Sequence, residues 1–332
     1  MRAEALPLIF DSSSESRVSS PFRYDSLAIE EGHRPVGFRF FQHIINIKAR
    51  IGNHEMVVTG EANSLELAHA KARSELIERS ALISFADTTQ AETSNGWAAH
   101  PSKTQATLNA VFELVERDAV LSQWYSATPF LQIPTTELPT DLQHWATDEL
   151  LCSEYPEMLV LLSSQGLGPS VSCILKNAKG FGVSGHATRS TLRESIESAL
   201  AEACRAAHAT LRREYWGDTL KLKRKELGPG DPGAHSVYYA YHEPFPNWMF
   251  GAPLAWTQAN NQWKTKTTAI NRQVDEFKFQ TILESPIFVG FAKLPLAFDL
   301  RWGSTSAEEV LRSPGAKRLG LSSINRETHI VS

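Results

Sequence analysis

Glu75-Leu76-Ile77-Glu78-Arg79 and Glu113-Leu114-Val115-Glu116-Arg117 repeat one pattern, E-x-x-E-R, at two places in the chain. On a helix, residues three and four apart share a face with Cβ atoms about 5–6 Å apart, so each pattern gathers two carboxylates and a guanidinium. Carboxylates this close repel each other unless a cation neutralises them. The arginine is one such cation. A hard divalent ion held by carboxylate oxygens is a better one, and Mg2+ shared with substrate phosphates is the usual case. A solvated helix laced with ion pairs is the alternative reading of the spacing. Here it recurs, each time beside apolar neighbours (Leu76 and Ile77, Leu114 and Val115), which points to partial burial and a metal site. A third run sets Glu202 and Arg205 on one helical face, with Glu197 five positions earlier and projecting to the side. Taken alone, that third run reads as surface ion pairing.

Other chemistries are excluded by their missing motifs. The chain has no G-x-x-x-x-G-K-[ST] phosphate loop, no H-E-x-x-H pair and no G-x-S-x-G elbow. Gly180-Phe181-Gly182-Val183-Ser184-Gly185 matches G-x-G-x-x-G after a strand. A dinucleotide fingerprint needs its helix to open within the motif, however, and here the helix starts near Thr191. The segment reads instead as a glycine turn or a tight strand end. Cys204 falls in a helix interior and reads as packing rather than nucleophile.

The elements that carry these residues have their own signals. Alternation through Phe38, Phe40, Ile45 and Ile47, then Met56-Val57-Val58, predicts two strands joined at Gly52-Asn53. A first helix opens at Ser64 and runs to about Phe85. A second follows the capping box Ser102-Lys103-Thr104-Gln105 to about Tyr125, and a third follows Thr191-Leu192-Arg193-Glu194 to about Arg213. Strands are predicted over Met158–Leu162, Val171–Leu175 and Ile287–Lys293. Residues 214–264 read as loop with short elements, and a last helix is expected over Asn271–Glu284. Strands and helices mix without strict alternation, which predicts an α/β (α+β) fold of mixed sheets packed with helices.

Composition narrows the class. The 332 residues carry 37 acidic and 33 basic side chains, so the basic excess of a nucleic-acid binder is missing. The one dense basic run, Lys221 to Lys225, reads as a solvated stretch. Cys152, Cys173 and Cys204 form no C-x-x-C and no even framework, which fits a cytoplasmic protein. Neither a signal peptide nor a membrane-spanning apolar run is present, so no membrane partner is expected. Residues 1–35, polar and serine-rich, are expected to be a flexible N-terminal segment, with a single domain over 36–332.

Three segments together resemble the YcaO family. The first is Gly60-Glu61-Ala62-Asn63-Ser64, then Ala68, then Ala72 to Arg79, similar to G-K-G-x-[TS]…A…E-x-x-E-R. The second and most diagnostic runs from Thr93-Ser94-Asn95-Gly96-Trp97-Ala98-Ala99 to Glu113–Ala119, similar to T-S-N-G-x-A-A-G…E-L-x-E-R-D-A. The third pairs Gly182–Gly185 with Ala199-Leu200-Ala201-Glu202-Ala203, similar to the glycine turn and A-L-x-E-A helix. Phe288 to Pro295 resembles the late strand, with Pro295-Leu296-Ala297 where the family has Pro-Gly-Leu.

The resemblance implies a YcaO-like ATP-binding fold without a P-loop and an ATP- and Mg2+-dependent enzyme. Glu75, Glu78, Glu113, Glu116 and Glu202 would hold Mg2+; Ser64, Arg79, Asn95, Arg117, Glu197 and Arg205 would serve the nucleotide, Arg79 and Arg117 by orienting the glutamates. The implied chemistry is phosphorylation of a peptide-bond oxygen. Attack by a neighbouring Cys, Ser or Thr then gives azolines in a ribosomally made precursor peptide. External sulfide would give a thioamide and the peptide's own amine an amidine. The family's Lys is Glu61 here, its second Gly is Ala62, and the closing Gly is His100; Gln105 and Ser198 replace a common Glu and Arg. These replacements bear on phosphate contact, and Glu61, Gln105 and Ser198 favour the alternative of a non-catalytic nucleotide- or peptide-binding scaffold. No P-x-P-x-P tail and no leader-binding domain are found. The implied partners are therefore the precursor peptide and a separate ThiF-like or TfuA-like subunit, with a flavin dehydrogenase in the azole case.

Overall fold

The computed structural model describes residues 9–11, 22–33, 43–89, 95–144, 155–215, 238–241, 243–273, 278–283, 287–298, 300, 306–327 and 329–330. Phe38, Phe40, Thr93, Ser94, Cys152 and the basic run Lys221–Lys225 lie outside these residues. The chain forms two compact units, residues 1–111 with 278–293, and residues 112–277 with 294–332.

In the first unit, β1 (Ile9–Asp11), β2 (Ser26–His33), β3 (His43–Ile51) and β4 (His54–Ala62) form an antiparallel sheet in that order. The turn between β3 and β4 is the expected one: Gly52 sits at φ 56°, and its N–H is held by Asp25 Oδ2 at 2.8 Å. Composition marks residues 1–35 as loose, yet Ser26–His33 is a strand. The alternating residues Leu27 and Ile29 pack it onto the β3–β4 core with Ile45, Ile47 and Val58. α1 (Leu65–Thr89) starts at Ser64, whose Oγ accepts the Leu67 N–H. It is apolar on two sides. Ala68, Ala72 and Leu76 join the core of the four-stranded sheet, whereas Ile77 and Ala81 join Trp97, Val289 and Phe291. Those last residues belong to a second sheet, β11 (Lys278–Leu283), β12 (Phe288–Lys293) and β5 (Trp97–His100). The close fit of β4 on α1 requires Gly60: a Cβ there would stand 2.0 Å from the Ala68 carbonyl oxygen.

The division between units falls within α2 (Lys103–Tyr125). In the second unit, a five-stranded sheet runs in the order β10 (Phe250–Pro253), β6 (Phe130–Ile133), β7 (Glu157–Leu162), β8 (Val171–Lys176), β9 (Gly182–Ala187). α3 (Leu192–Tyr215) opens on the expected capping box: Glu194 N–H donates to Thr191 Oγ1 at 3.2 Å, and Thr191 N–H to Glu194 Oε2 at 3.1 Å. At Ser102 only half the box forms. Its Oγ accepts the Gln105 N–H, while the Gln105 amide turns to Asn109.

Two expectations are corrected. The glycine segment is a turn only at Asn177–Gly180, where Gly180 has φ 84° and Asn177 Oδ1 accepts two backbone N–H groups. From Gly182 onward it is β9, fully buried and paired with β8. The last helix is shifted: α5 (Trp256–Gln273) follows the short α4 (Tyr238–Tyr241), and Lys278–Leu283 of the expected helix is a strand. The α5 sequence is rich in Asn, Gln, Lys and Thr, and the fully buried Trp263 anchors it. In 278–283 the pairing of Phe279 with Ala292 and Gln280 with Phe291 overrides local propensity. α6 (Ala307–Arg312) and α7 (Pro314–Leu319) complete the second unit. Among the described residues no helix is long and apolar enough to cross a membrane.

Candidate active site

α2 presents the second E-x-x-E-R pattern in a fixed rotation. Val115, Ala119 and Val120 are fully buried, and so is Asp118, which follows the pattern. Its carboxylate accepts N–H groups from Leu167 and Phe298, each at 2.9 Å, and is forked by Arg318 at 3.0 and 3.1 Å. Arg318 also donates to Ser122 Oγ at 2.7 Å. Ala119 lies against Gly166, where a Cβ would come within 2.5 Å of the Ala119 Cα. Asp118 and Ala119 thus act as the socket that turns Glu113, Glu116 and Arg117 to the other side.

On that side charges converge. Glu116 is 6% exposed, and Arg117 Nε stands 3.7 Å from its Oε1. Burial pushes the Glu116 carboxyl up to about 8; Arg117 and Arg189 oppose the shift, while Glu202 and Glu113 add to it. Arg117, despite its burial, is held above its ordinary value by Glu116, Glu202 and Glu113. Glu202 comes from α3. It is placed over β9, where the Cβ of Glu202 would lie 2.8 Å from a Cβ at Gly185, and its Oε2 accepts the His186 N–H at 2.6 Å. Burial presses the His186 imidazole down to about 4, with Glu202 and the Ile330 carbonyl opposing and Arg117 reinforcing.

Glu113, Glu116, Glu202 and Arg117 are therefore brought together within the second unit. Glu197 is not: it pairs with Arg193 at 3.0 Å on the exposed side of α3, beside the Arg193–Asp141 pair. Arg205 is half-buried one turn beyond Glu202. In the first unit, Glu75 is paired with Arg79 at 3.0 Å, Glu78 is half-buried, Ser64 caps α1, and Asn95 lies in the turn that leads into β5. His186, Arg189 and Arg318 had no sequence signal. Their partners lie on other elements, up to 200 positions away in the case of Arg318 and Asp118.

A buried cluster with more carboxylates than guanidiniums, in which burial pushes the Glu116 carboxyl up, fits a divalent cation. Oxygen donors select a hard ion such as Mg2+. Among the described residues no group of His, Cys, Asp or Glu closes into a preformed metal cage. Mg2+ does not require one, since it takes one or two carboxylates and completes its shell with water and substrate phosphates.

A mixed α/β fold that gathers carboxylates and an arginine from two helices, without a phosphate loop, fits a metal-assisted site of the P-loop-free kind. The family model described as YcaO cyclodehydratase, ATP- and Mg2+-binding, matches residues 84–280, and the chain belongs to this family. It is an enzyme of that type, with ATP and Mg2+ as its cofactors. The chain is similar in fold to YcaO from Methanopyrus kandleri bound with AMPPCP and Mg2+ (TM-score 0.58, 12% identity, covering 85% of this chain and 90% of that one). It is likewise similar to a chain of the E. coli microcin synthetase McbBCD complex with pro-MccB17 bound (TM-score 0.56, 11% identity, 85% and 90%). A heterocyclase in complex with substrate and cofactor also matches (TM-score 0.54, 13% identity), over 87% of this chain and 53% of that one. Comparison with curated protein sequences gives no match.

Proposed function

We propose that the protein is the ATP-dependent subunit of a multi-subunit synthetase that cyclodehydrates Cys, Ser or Thr of a ribosomally made precursor peptide to azolines, with residues 36–332 working as one catalytic domain in the cytoplasm. The buried cluster of Glu113, Glu116, Glu202 and Arg117, in a chain of this family, carries the reading. ATP with Mg2+ supplies the γ-phosphoryl group that turns the amide oxygen into a leaving group. Glu116 and Glu202 offer carboxylate oxygens to the metal, and Glu113 adds negative charge beside them. Arg117 offsets part of that charge when the site is empty of cation and faces developing phosphate charge in the reaction. In the first unit Glu75 and Glu78 are assigned as Mg2+ ligands, with Arg79 holding Glu75, and Asn95 and Ser64 are assigned to nucleotide contacts, as is Arg205 of the second unit; Glu197 stays with Arg193.

The fold neighbours include a microcin synthetase complex with pro-MccB17 bound and a heterocyclase with its substrate, which supports a peptide substrate and a partner subunit; the family resemblance makes that partner a ThiF-like or TfuA-like protein. The test is co-expression with the peptide and partner encoded beside the gene, followed by intact-mass analysis. Loss of one water per modified residue, together with phosphate release that Glu116→Ala abolishes, is the expected result. Gain of the sulfur-for-oxygen difference would reassign the product to a thioamide. ATP turnover by Glu116→Ala at the wild-type rate would overturn the site.

A further inference from the structure

His186 makes contacts that the site's chemistry does not require. It lies on β9, 3% exposed, directly opposite Ser172 of β8 in the strand register. Its Nε2 is 3.0 Å from the carbonyl oxygen of Ile330, and its Nδ1 is 2.9 Å from Ser172 Oγ. A carbonyl oxygen only accepts, so Nε2–H donates to Ile330, and Nδ1 shares a hydrogen bond with the Ser172 hydroxyl. The ring is satisfied at both nitrogens. Ser184, two residues earlier on the same strand, donates to the same Ile330 carbonyl at 2.8 Å.

Nearby, the Asn325 N–H donates to the Tyr125 carbonyl at 3.0 Å and Trp124 Nε1–H to the Glu327 carbonyl at 3.1 Å. Trp248 Nε1–H also reaches the Glu327 carboxylate at 2.9 Å. His329 packs edge-on against Tyr125. The backbone N–H of His186, in turn, is the group that holds Glu202 Oε2 at 2.6 Å. The Ile330 carbonyl, the His186 ring, its peptide plane and a carboxylate thus form one hydrogen-bonded chain.

We propose that His186 is a positioning residue for Glu202: by tying β9 to the carbonyl of Ile330 it aims the peptide N–H that orients the Glu202 carboxylate toward the metal. One carboxylate oxygen is occupied by that N–H, so the other faces the cation in a single direction. Groups that orient metal ligands from behind are worth about 10–100-fold in metal affinity. The proposal rests on the reading that Glu202 is a Mg2+ ligand, and its test keeps the two apart.

The test uses the full chain, Mn2+ as the spectroscopic probe and a non-hydrolysable ATP analogue, with free Mn2+ read by electron paramagnetic resonance. His186→Met removes both ring nitrogens and should weaken Mn2+ binding about tenfold or more. His186→Gln, whose amide N–H can reach the Ile330 carbonyl, should recover the affinity to within roughly threefold of wild type. A purely structural histidine would lower the unfolding temperature of both variants and leave the Mn2+ titration in place; wild-type affinity in folded His186→Met overturns the proposal. Should His186→Met fail to fold, Ser172→Ala keeps the ring and removes its Nδ1 contact, and Ser184→Ala keeps the ring and removes the second donor that fixes the Ile330 carbonyl. Each should then weaken Mn2+ about two- to threefold, on the order of a single neutral hydrogen bond, and unchanged affinity in both overturns the proposal. Glu202→Gln separates the layers. If it binds Mn2+ as wild type does, the site reading fails and the inference with it; if it loses Mn2+ while His186→Met does not, only the inference fails.

Discussion

Replacing Glu116 by Gln separates two opposite effects of one carboxyl group. Without metal, burial lifts the Glu116 carboxyl from 4.5 to about 8, with Glu202 and Glu113 contributing. A raised folded-state pKa means that the bound proton stabilises the fold. That contribution is complete below the unfolded value near 4.5 and disappears as pH rises through about 8. Between pH 5.5 and 8.5 the metal-free wild type should therefore lose on the order of 3 kcal/mol that the amide does not lose. At roughly 2.1 cal/mol/K of unfolding entropy per residue, 1 kcal/mol moves the melting temperature of a 332-residue chain by about 1.4 °C, so variant and wild type should diverge by about 4 °C across that range. The variant should be the more stable at alkaline pH. With Mg2+ and a non-hydrolysable ATP analogue the order should reverse, because the carboxylate that was costly to ionise becomes a ligand and the amide is a poor one. Thermal unfolding in EDTA and in Mg2+-nucleotide, each at pH 5.5 and 8.5, reads all four conditions. A pH-independent gap, or equal stabilisation of both proteins by Mg2+-nucleotide, would refute the reasoning.

Other outcomes follow from the same geometry. Mg2+-nucleotide binding should release a proton and strengthen about tenfold per pH unit below pH 8, a slope that calorimetry in two buffers measures directly. Gly185→Ala would bring a Cβ within 2.2 Å of the Ala199 carbonyl and 2.3 Å of the Ala203 N–H. Overpacking of that kind should cost about 1–3 kcal/mol or more in urea unfolding and displace Glu202, so that ATP turnover falls as well. Arg318→Met leaves the fully buried Asp118 without its counter-ion, which should cost about 3–5 kcal/mol in the same assay.

Local signals made much of this fold legible. The caps at Ser64, Ser102 and Thr191 set the starts of the helices that carry the glutamates, and Gly52 set the β3–β4 turn. The E-x-x-E-R repeat exposed Glu113 and Glu116 because helical spacing alone puts them on one face. What stayed hidden depends on partners distant in the chain. Gly182–Gly185 looks like a turn until β8 is known to lie beside it and α3 to press on Gly185. His186 is one histidine among 11 until Ile330 and Ser172 are placed against it. Lys278–Leu283 has a helix-compatible pattern, and only pairing with β12 makes it a strand. Glu197 shows the converse. The family resemblance placed it with the nucleotide, but an i,i+4 arginine on the open side of α3 engages it instead, as its sideways position on the helix predicts.

The most direct measurement of the central claim is a crystal structure of the full chain with Mg2+ and a non-hydrolysable ATP analogue. A metal is expected at about 2.0–2.1 Å from carboxylate oxygens of Glu116 and Glu202, shared with nucleotide phosphate oxygens, with Arg117 beside it and the His186 N–H still on Glu202 Oε2. A nucleotide bound elsewhere, with Glu116 and Glu202 free of metal, would contradict it.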